Sequence, residues 1–441
     1  MTIQLKTLRW ADLDAAAREA ALTRPAVTAN PQIAARVGEI IARVRAEGDS
    51  ALFRLAEELD DAKLSDLEVG AEEATRARAE LGADALKAIE TAITNVRRFH
   101  AAQLSQPIRV ETAPGVVCER QSRPVPAVGL YVPAGSAPLP STAIMLAVPA
   151  DLAGCPVRIL CTPPRPDGRA DPAVVVAAQA CGVKRIFKVG GAQAVAAMAY
   201  GTETVPKVDK IFGPGNAWVT AAKTAVATDP AGAGLDMPAG PSEVMVVADS
   251  AADPEFVALD LMSQAEHGAD SQAILVCTDA QLANAVRAAI AAALPAMPRR
   301  DIIEASLEHG SILLTEDLDE ALEIVNRYAP EHLIFQVNNP RQYVDSVINA
   351  GSVFLGPWTP EAVGDYCSGT NHVLPTYGYA RSYSGLSVAD FQKQITFQEL
   401  SQAGLRGLSD TVTTLAGLEG LEAHAEAVRV RMRRQSKRGA A

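Results

Sequence analysis

Cysteine is sparse in this 441-residue chain and follows neither a metal-knot pattern nor a disulfide framework. The six cysteines include no C-x-x-C pair, and most lie in apolar runs such as Ile274-Leu-Val-Cys277. Such residues behave as small buried hydrophobes, which argues against a disulfide-stapled secreted domain and against a zinc knot built from thiolates. We therefore expect a protein of a reducing compartment, the cytoplasm.

Long apolar runs and an excess of positive charge are also missing. The longest apolar run, Ala143 to Ala150, stops at Asp151, and Met1 to Trp10 has no apolar segment of a signal peptide. A membrane-spanning helix needs about 20 apolar residues, so no membrane partner is expected. The net charge of −12 argues against a nucleic-acid-binding surface. The one basic stretch, Arg429 to Arg438, is interpreted as a cationic helix end.

Length and patterning predict two or three domains of α/β type. Asn30-Pro31 is a helix start, and the first hundred residues look mostly helical. From Arg109, strands alternate with helices, and the pattern restarts at Glu243, which indicates parallel sheets. From Asp390 onward the chain looks helical again. We predict two Rossmann-like, incompletely doubly wound α/β domains with helical N- and C-terminal segments.

Two possible metal ligands, Gln264 and His267, lie three residues apart near the end of a predicted helix. This spacing puts an amide oxygen and an imidazole nitrogen on one helix face, where they can meet the same ion. Asp365, on a loop after a strand, and His424, on a predicted helix, offer a carboxylate and a second imidazole. Mixed nitrogen and oxygen donors suit Zn²⁺. Taken singly, these residues also fit a polar helix end, a helix cap and a surface histidine.

Glu331 and His332 are adjacent, between Tyr328-Ala-Pro330 and the apolar Leu333-Ile-Phe335. A histidine beside a glutamate can move protons near neutral pH. Adjacent residues in an extended segment point to opposite faces, so both serve one site only if the backbone turns at Pro330. A solvated loop pair is the other interpretation.

Two glycine turns, Gly190-Gly-Ala-Gln193 and Gly213-Pro-Gly-Asn216, each lie where a predicted strand enters a helix. Such turns expose backbone N–H groups to phosphate, but neither is the G-x-G-x-x-G sequence of dinucleotide-binding folds. Each alone fits ordinary turn glycines as well as a cofactor site.

Taken together, several segments closely resemble the signature sequences of the histidinol dehydrogenase family. The resemblance runs from about residue 25 to about residue 430, and no motif position departs from the family pattern. The segments are Gly129-Leu-Tyr-Val-Pro133, Phe187-Lys-Val-Gly-Gly-Ala-Gln193, Lys210-Ile-Phe-Gly-Pro-Gly-Asn216, Asp236-Met-Pro-Ala-Gly-Pro-Ser-Glu-Val244, Asp260-Leu-Met-Ser-Gln-Ala-Glu-His267, Tyr328-Ala-Pro-Glu-His332, and Gly364-Asp-Tyr366 with Ser368-Gly-Thr-Asn-His-Val-Leu-Pro375.

The resemblance implies an enzyme that oxidises L-histidinol to L-histidine through a bound histidinaldehyde with two NAD⁺, the last step of histidine biosynthesis. It implies Glu331 and His332 as the catalytic pair. The zinc ligands that it implies are Gln264, His267, Asp365 and His424. The NAD contacts are Tyr131, Gln193 and Asn216. The substrate contacts are Ser242, Gln264, His267, His332, Asp365, Glu419 and His424.

The resemblance further implies a homodimer with shared active sites, in which Glu419 and His424 complete the partner's site. Four parts of the chain are expected. They are an N-terminal segment (1–24), an α/β domain carrying most metal and catalytic residues (25–107 plus 242–386), an inserted NAD-binding α/β domain (108–241), and a helical C-terminal segment that reaches the partner subunit (387–441).

Three other interpretations stay open at the level of sequence. One is a related zinc- and NAD-dependent dehydrogenase of another small polar alcohol. Glu419 argues against it, because a carboxylate there suits the cationic amine or imidazole of histidinol. The second is a zinc hydrolase that uses a metal, Glu331 and bound water. The third is a non-catalytic nucleotide-binding regulator.

Overall fold

The computed structural model describes residues 5–25, 31–134, 137–238 and 240–438. Contacts divide the chain into unit 1, residues 1–103 and 125–391, and unit 2, residues 104–124 and 392–441. The strands are β1 (Lys6–Arg9), β2 (Ile108–Ala113), β3 (Val116–Pro124), β4 (Ala127–Tyr131), β5 (Val157–Thr162), β6 (Arg185–Lys188), β7 (Lys210–Phe212), β8 (Gly234–Leu235), β9 (Glu243–Ala248), β10 (Gln272–Cys277), β11 (Ser311–Leu314), β12 (His332–Gln336), β13 (Ser352–Leu355) and β14 (Gln392–Leu400).

The helices alternate with these strands through most of unit 1. They are α1 (Ala15–Ala21), α2 (Pro31–Glu47), α3 (Asp49–Asp60), α4 (Ala71–Glu80), α5 (Ala83–Ala101), α6 (Pro140–Leu152), α7 (Pro172–Ala180), α8 (Gly191–Tyr200), α9 (Ala217–Ala227), α10 (Pro254–Ala265), α11 (Ala280–Ala293), α12 (Arg300–Leu307), α13 (Leu318–Tyr328), α14 (Glu361–Tyr366), α15 (Gln402–Leu418) and α16 (Glu422–Arg438). Short 3-10 helices occupy Trp10–Asp12, Leu294–Ala296, Pro340–Ser346, Tyr379–Arg381 and Val388–Phe391. No helix of the described ranges is long and apolar enough to cross a membrane.

A six-stranded parallel sheet of unit 1 has the order β1-β11-β10-β9-β12-β13. Every residue of β9 and β10 is buried. This is expected of strands that helices cover on both faces, because neither face can then carry exposed polar side chains. One core packs α10, α11 and α12 against the sheet, and a second packs α13 and Trp10 on the other side.

A five-stranded parallel sheet, also in unit 1, has the order β6-β5-β4-β7-β8. Helices α4 to α7 pack in one core, and α2, α3, α8 and α9 pack in the other. The chain runs outward from β4 to β5 and β6, then returns to place β7 on the other side of β4. Open α/β sheets bind ligands outside the carboxyl ends of their strands at such a switch point.

These two sheets confirm the predicted α/β fold. Strand β9 begins at Glu243, the residue at which the strand pattern was predicted to restart. The predicted cap Asn30 lies outside the described residues, and its helix is Pro31–Glu47. The domain limits given above stay a prediction.

Three segments differ from the sequence-based prediction. The chain after Asp390 is not helical at first, since the nine-residue strand β14 precedes α15. Strand β1 lies in the N-terminal segment and pairs with β11. Both are edge strands with largely exposed side chains, so they lack an apolar run. The apolar Leu333-Ile-Phe335 lies in β12, a central strand too short to be separated from a loop by periodicity alone.

Unit 2 is an antiparallel three-stranded sheet, β14-β3-β2, followed by the helices α15 and α16. Strand β14 pairs with β3 along nine residues. Ser401 caps α15, because its hydroxyl oxygen accepts a hydrogen bond from the N–H of Gly404 at 3.0 Å. Leu415, Leu418 and Leu421, around the end of α15, are exposed apolar side chains.

A buried ion pair holds the turn after β7. Lys223 pairs with Asp236 and donates a hydrogen bond to the carbonyl oxygen of Gly213 at 2.9 Å. The N–H of Gly213 donates to Asp236 at 2.8 Å. Gly213 has φ +127°, and a Cβ atom there would overlap the carbonyl oxygen of Tyr131. Only glycine therefore lets the turn lie against the end of β4.

Gly213→Ala is expected to lower the free energy of unfolding by about 1–3 kcal/mol from the backbone conformation alone, and further through the overlap with Tyr131. Gly38 is the matched control, because it lies inside α2 and an ideal Cβ there has nothing within 4 Å. Gly38→Ala should raise stability by about 0.5–1 kcal/mol. Thermal unfolding followed by circular dichroism compares the two, and equal shifts would contradict this account of the turn.

Candidate active site

The predicted catalytic pair lies at the amino end of the six-stranded sheet. Glu331 immediately precedes β12, His332 opens it, and His332 is in register with Val244 of the neighbouring β9. Ser242 immediately precedes β9. Parallel strands bring their amino ends to one edge, so residues distant in sequence meet there. Ligand sites of open α/β sheets more often use the carboxyl edge.

The His332 ring is buried, with 3% of the residue exposed. Its Nδ1 bonds the carbonyl oxygen of Glu243 at 3.1 Å and lies 3.6 Å from Oε2 of Glu331. A carbonyl oxygen can only accept, so this bond assigns the hydrogen to Nδ1. Nε2 is therefore the nitrogen left to face the site, and it lies 3.7 Å from Oδ1 of Asp365.

Glu331 is buried as well, and the two side chains share one site rather than a solvated loop. Oε2 of Glu331 accepts a hydrogen bond from the N–H of Glu243 at 2.9 Å. Burial raises the pKa of Glu331 to about 8. Burial alone would lower the pKa of His332, but three neighbouring carboxylates outweigh it and raise that pKa to about 10. Both pKa values lie above neutrality, so the pair holds its protons tightly as long as no cation engages the neighbouring carboxylates.

Gln264 and His267 lie where α10 ends. The helix stops at Ala265, so His267 lies beyond the cap residue Glu266 rather than on the predicted helix. Nδ1 of His267 lies 3.3 Å from Nε2 of Gln264 and 3.4 Å from the hydroxyl oxygen of Ser242. The predicted neighbours therefore do meet, although the last of them is not helical.

A second carboxylate, that of Glu361, lies near Asp365 and was not predicted from the sequence. The two lie four residues apart on α14, a spacing that puts them on one face and was the signal available in the sequence. Ligand atoms of His267, Glu361 and Asp365 lie within 4.8 Å of one another. Oε2 of Glu361 accepts from the hydroxyl of Ser263 at 3.0 Å, and Oε1 lies 3.9 Å from Nδ1 of His332.

The two carboxylates of α14 differ in proton affinity. Burial raises the pKa of Glu361 to about 7. Burial also acts to raise the pKa of Asp365, but the surrounding imidazoles outweigh it and lower that pKa to about 2. Asp365 is therefore ionised throughout the physiological range and is the stronger candidate for a cation ligand.

Several buried polar atoms at this site have no hydrogen-bond partner among the described residues. They include Oε1 of Gln264, Nε2 of His332, Oε1 of Glu361 and Nε2 of His372. Buried polar groups are normally satisfied, so such atoms call for a ligand, an ion or water. An amide oxygen, carboxylates and imidazole nitrogens form a donor set that fits zinc. His372 is a second residue to which the sequence analysis gave no role.

Two predicted site residues belong to unit 2. Glu419 follows the last residue of α15, His424 lies in α16, and both side chains are exposed. Gln264, His267 and Asp365 belong to unit 1. The part of Glu419 and His424 in the site stays a prediction.

The residues predicted to contact NAD lie at the carboxyl ends of the five-stranded sheet. Tyr131 ends β4, Gln193 lies in the first turn of α8 after β6, and Asn216 caps α9 after β7. The hydroxyl oxygen of Tyr131 accepts a hydrogen bond from the N–H of Gly191 at 3.0 Å. Since β4 and β7 flank the switch point, Tyr131 and Asn216 border the crevice where open α/β sheets bind nucleotides, whereas Gln193 follows the edge strand β6.

The chain is similar to known histidinol dehydrogenases. Residues 22–432 match the family model described as histidinol dehydrogenase. A histidinol dehydrogenase of Vibrio cholerae is 53% identical over 433 residues, which cover 98% of this chain and 100% of that protein. One of Xanthomonas euvesicatoria is 54% identical over 428 residues, 97% of this chain and 99% of that protein.

The likeness extends to three dimensions. The crystal structure of histidinol dehydrogenase from Elizabethkingia anophelis matches with a TM-score of 0.94 and 42% sequence identity, covering 98% of this chain and 99% of that chain. These matches support the histidinol dehydrogenase interpretation and give no support to the hydrolase or to another alcohol as substrate.

Removing the Asp365 carboxylate tests the donor group. Asp365→Ala should weaken Zn²⁺ binding by at least about 100-fold, because losing even an outer-shell partner typically costs 10–100-fold. Asp345→Ala removes an exposed carboxylate from the 3-10 helix Pro340–Ser346 and should leave the affinity unchanged. Calorimetric titration of chelator-stripped protein with Zn²⁺ measures both. Similar affinities in the two variants would remove Asp365 from the ligand set.

Proposed function

This chain belongs to the histidinol dehydrogenase family and oxidises L-histidinol to L-histidine; we propose which of its residues perform that oxidation, with zinc and two NAD⁺. The observation that carries the proposal is the buried Glu331–His332 pair beside the donor group of His267 and Asp365. Proton-transfer groups and metal donors thereby converge on one site. We place the enzyme in the cytoplasm, in keeping with its six free cysteines.

Gln264, His267 and Asp365 would hold the zinc ion together with His424. A zinc ion held there would supply a fixed positive centre for the nitrogen atoms of the substrate, which would orient its carbinol carbon. Ser242, whose hydroxyl lies 3.4 Å from His267, offers a hydrogen bond to the same substrate. The Glu419 carboxylate would pair with the cationic amine or imidazole.

His332 takes the hydroxyl proton in the first oxidation. An alcohol carbon gives up hydride only as its hydroxyl proton leaves, and Nε2 of His332 is the nitrogen free to receive it. Glu331 lies beside Nδ1 and offsets the positive charge that the ring gains. The His332 ring must be neutral before it can accept this proton. When a cation binds the Asp365 carboxylate, that negative charge no longer helps to hold a proton on the ring.

Glu331 activates water for the second oxidation. An aldehyde carbon carries no hydroxyl group, so water must add to the carbonyl before a second hydride can leave. In that addition a C–O bond forms as the π bond of the carbonyl group breaks; the carboxylate of Glu331 takes a proton from the water, and the carbonyl oxygen receives the proton that His332 took in the first oxidation. Its burial suits this role, because a buried carboxylate holds a proton near neutral pH more readily than an exposed one.

The nicotinamide cofactor binds, on this proposal, at the carboxyl edge of the five-stranded sheet. Tyr131, Gln193 and Asn216 would contact it there, and the bound NAD⁺ would supply the hydride acceptor for each oxidation. The turns after β6 and β7 are not G-x-G-x-x-G loops, which bind pyrophosphate closely. A looser site suits a cofactor that must leave after the first oxidation and be replaced before the second.

Two subunits share each active site in the proposed homodimer. In each site, unit 1 of one subunit provides the donors Gln264, His267 and Asp365. Unit 2 of the partner subunit provides His424. The exposed leucines around the end of α15 supply apolar surface for an interface. Metal binding and association would then stabilise each other, because a shared ligand set is complete only in the dimer.

The two half-reactions separate the roles of the catalytic pair. His332→Asn should lower turnover of L-histidinol by about 10²–10⁴, the usual range for losing a general base. Glu331→Gln should impair oxidation of supplied histidinaldehyde more than oxidation of histidinol. NADH formation measured at 340 nm with each substrate gives both rates. Absence of NADH formation by the wild type would sink the proposed function, and equal losses in Glu331→Gln would refute the water-activating role.

Mixed dimers test the shared site. His332→Asn and His424→Asn, each nearly inactive alone, are unfolded together in equal amounts and refolded. Random pairing makes about half the dimers mixed, and each mixed dimer has one site with both defects and one with neither. Activity should recover to about a quarter of wild type. If mixed dimers form without recovery, both residues serve one chain's site.

A further inference from the structure

Asp60, the last residue of α3, is a carboxylate that the proposed reaction does not use. It is half-buried, and its Oδ2 accepts a hydrogen bond from Nε2 of Gln193 at 3.3 Å. Burial raises the pKa of Asp60 to about 6, although the hydrogen bond from Gln193 acts to lower it. No cation among the described residues is close enough to lower this pKa further. A part-buried carboxylate without a cationic partner costs free energy and is often a functional group.

The end of α3 fixes Asp60 in position. Asp61 adopts a left-handed conformation with φ 50°, and the N–H of the buried Ala62 donates to the carbonyl oxygen of Ala56 at 3.1 Å. A left-handed residue other than glycine is uncommon and persists only where its surroundings determine it. The helix end is therefore held by its own hydrogen bond and by burial, rather than frayed.

Asp60 joins two predicted cofactor residues in one cluster. Gln193 bonds it directly, and Tyr131 lies close enough that, beyond the larger effect of burial, the negative charge of Asp60 raises the pKa of the Tyr131 phenol. Tyr131 in turn bonds the N–H of Gly191. The cluster thus lies outside the carboxyl ends of β4 and β6.

The second strand of the five-stranded sheet does not end in an acidic residue. Dinucleotide-binding folds carry an acid after the second strand, where it bonds ribose hydroxyls. Here the second strand of the sheet, β5, ends at Thr162 and continues as Pro163-Pro164. An ideal Cβ on Gly190 would lie 2.8 Å from the Pro163 ring, so the turn that precedes Gln193 packs over the end of β5. Asp60 reaches that edge from α3 instead.

We propose that Asp60 is the residue that selects NAD⁺ over NADP⁺: its carboxylate accepts hydrogen bonds from ribose hydroxyls of the cofactor and repels a 2′-phosphate. A carboxylate can accept from two neighbouring hydroxyls, whereas a phosphate beside it is a like-charge contact. By taking Nε2 of Gln193, the same carboxylate also leaves the amide oxygen of Gln193 as an acceptor for the cofactor. The inference rests on the proposed cofactor site in the five-stranded sheet.

Cofactor preference with and without the charge tests the proposal. Wild type should bind NAD⁺ at least about tenfold more tightly than NADP⁺ in calorimetry, and Asp60→Asn should remove that preference. The ratio of kcat/KM for NADP⁺ to that for NAD⁺, with saturating L-histidinol, should rise about 10- to 100-fold, the worth of a hydrogen bond to a charged group. KM for L-histidinol should stay unchanged. Asp60→Ser, in which the side chain is neutral and smaller, should show the same loss of cofactor preference as Asp60→Asn.

Asp61→Asn is the matched control. It removes a charge from the same helix end, its side chain is exposed, and asparagine tolerates the left-handed conformation. Its cofactor ratio should equal that of wild type. Equal binding of NAD⁺ and NADP⁺ by wild type overturns the proposal without any variant, and so does a folded Asp60→Asn with an unchanged ratio. A wild type that binds NAD⁺ selectively but forms no NADH from L-histidinol would refute the proposed function and leave the role of Asp60 standing.

Discussion

The active site depends on the burial of ionisable side chains at the amino ends of β9 and β12. Glu331, His332 and Glu361 are all buried, and the ion pairs of these residues in the described structure involve only imidazole, never lysine or arginine. Their carboxylates therefore hold protons more tightly than exposed ones. A cation at the neighbouring donors would offset that burial, and so the same arrangement that makes proton transfer possible also favours metal binding.

The two sheets of unit 1 use opposite edges. The proposed acid–base residues lie at the start of β12 in the six-stranded sheet, where β9 and β12 are fixed by neighbours on both sides. Predicted cofactor residues follow strands of the five-stranded sheet, in turns whose N–H groups and caps are oriented by the helices that start there. Rigid placement suits groups that must meet one substrate atom, whereas open turns suit a cofactor that is exchanged during the reaction.

Close approaches between segments far apart in the chain support this arrangement. Gly213 lets the turn after β7 touch the end of β4, and the buried Lys223–Asp236 pair holds it there. Glu243 plays a similar part at the other sheet, because its backbone N–H and carbonyl oxygen bond Glu331 and His332 respectively. At the six-stranded sheet the backbone of β9 therefore orients the proposed catalytic residues at the start of β12, so a change in strand register would displace them.

The sequence by itself determined the α/β class and the pairing of Gln264 with His267, since apolar runs, glycine turns and i, i+3 spacing are local signals. The edge strand β14 was not predicted, because its exposed residues show no apolar pattern. Only the tertiary structure decided that Glu331 and His332 are buried, because the groups that bury and bond them come from β9 and α14. The tertiary structure also showed that the carboxylates of Glu361 and Asp60 are shielded from water, which the sequence cannot show because most carboxylates on helices are solvated.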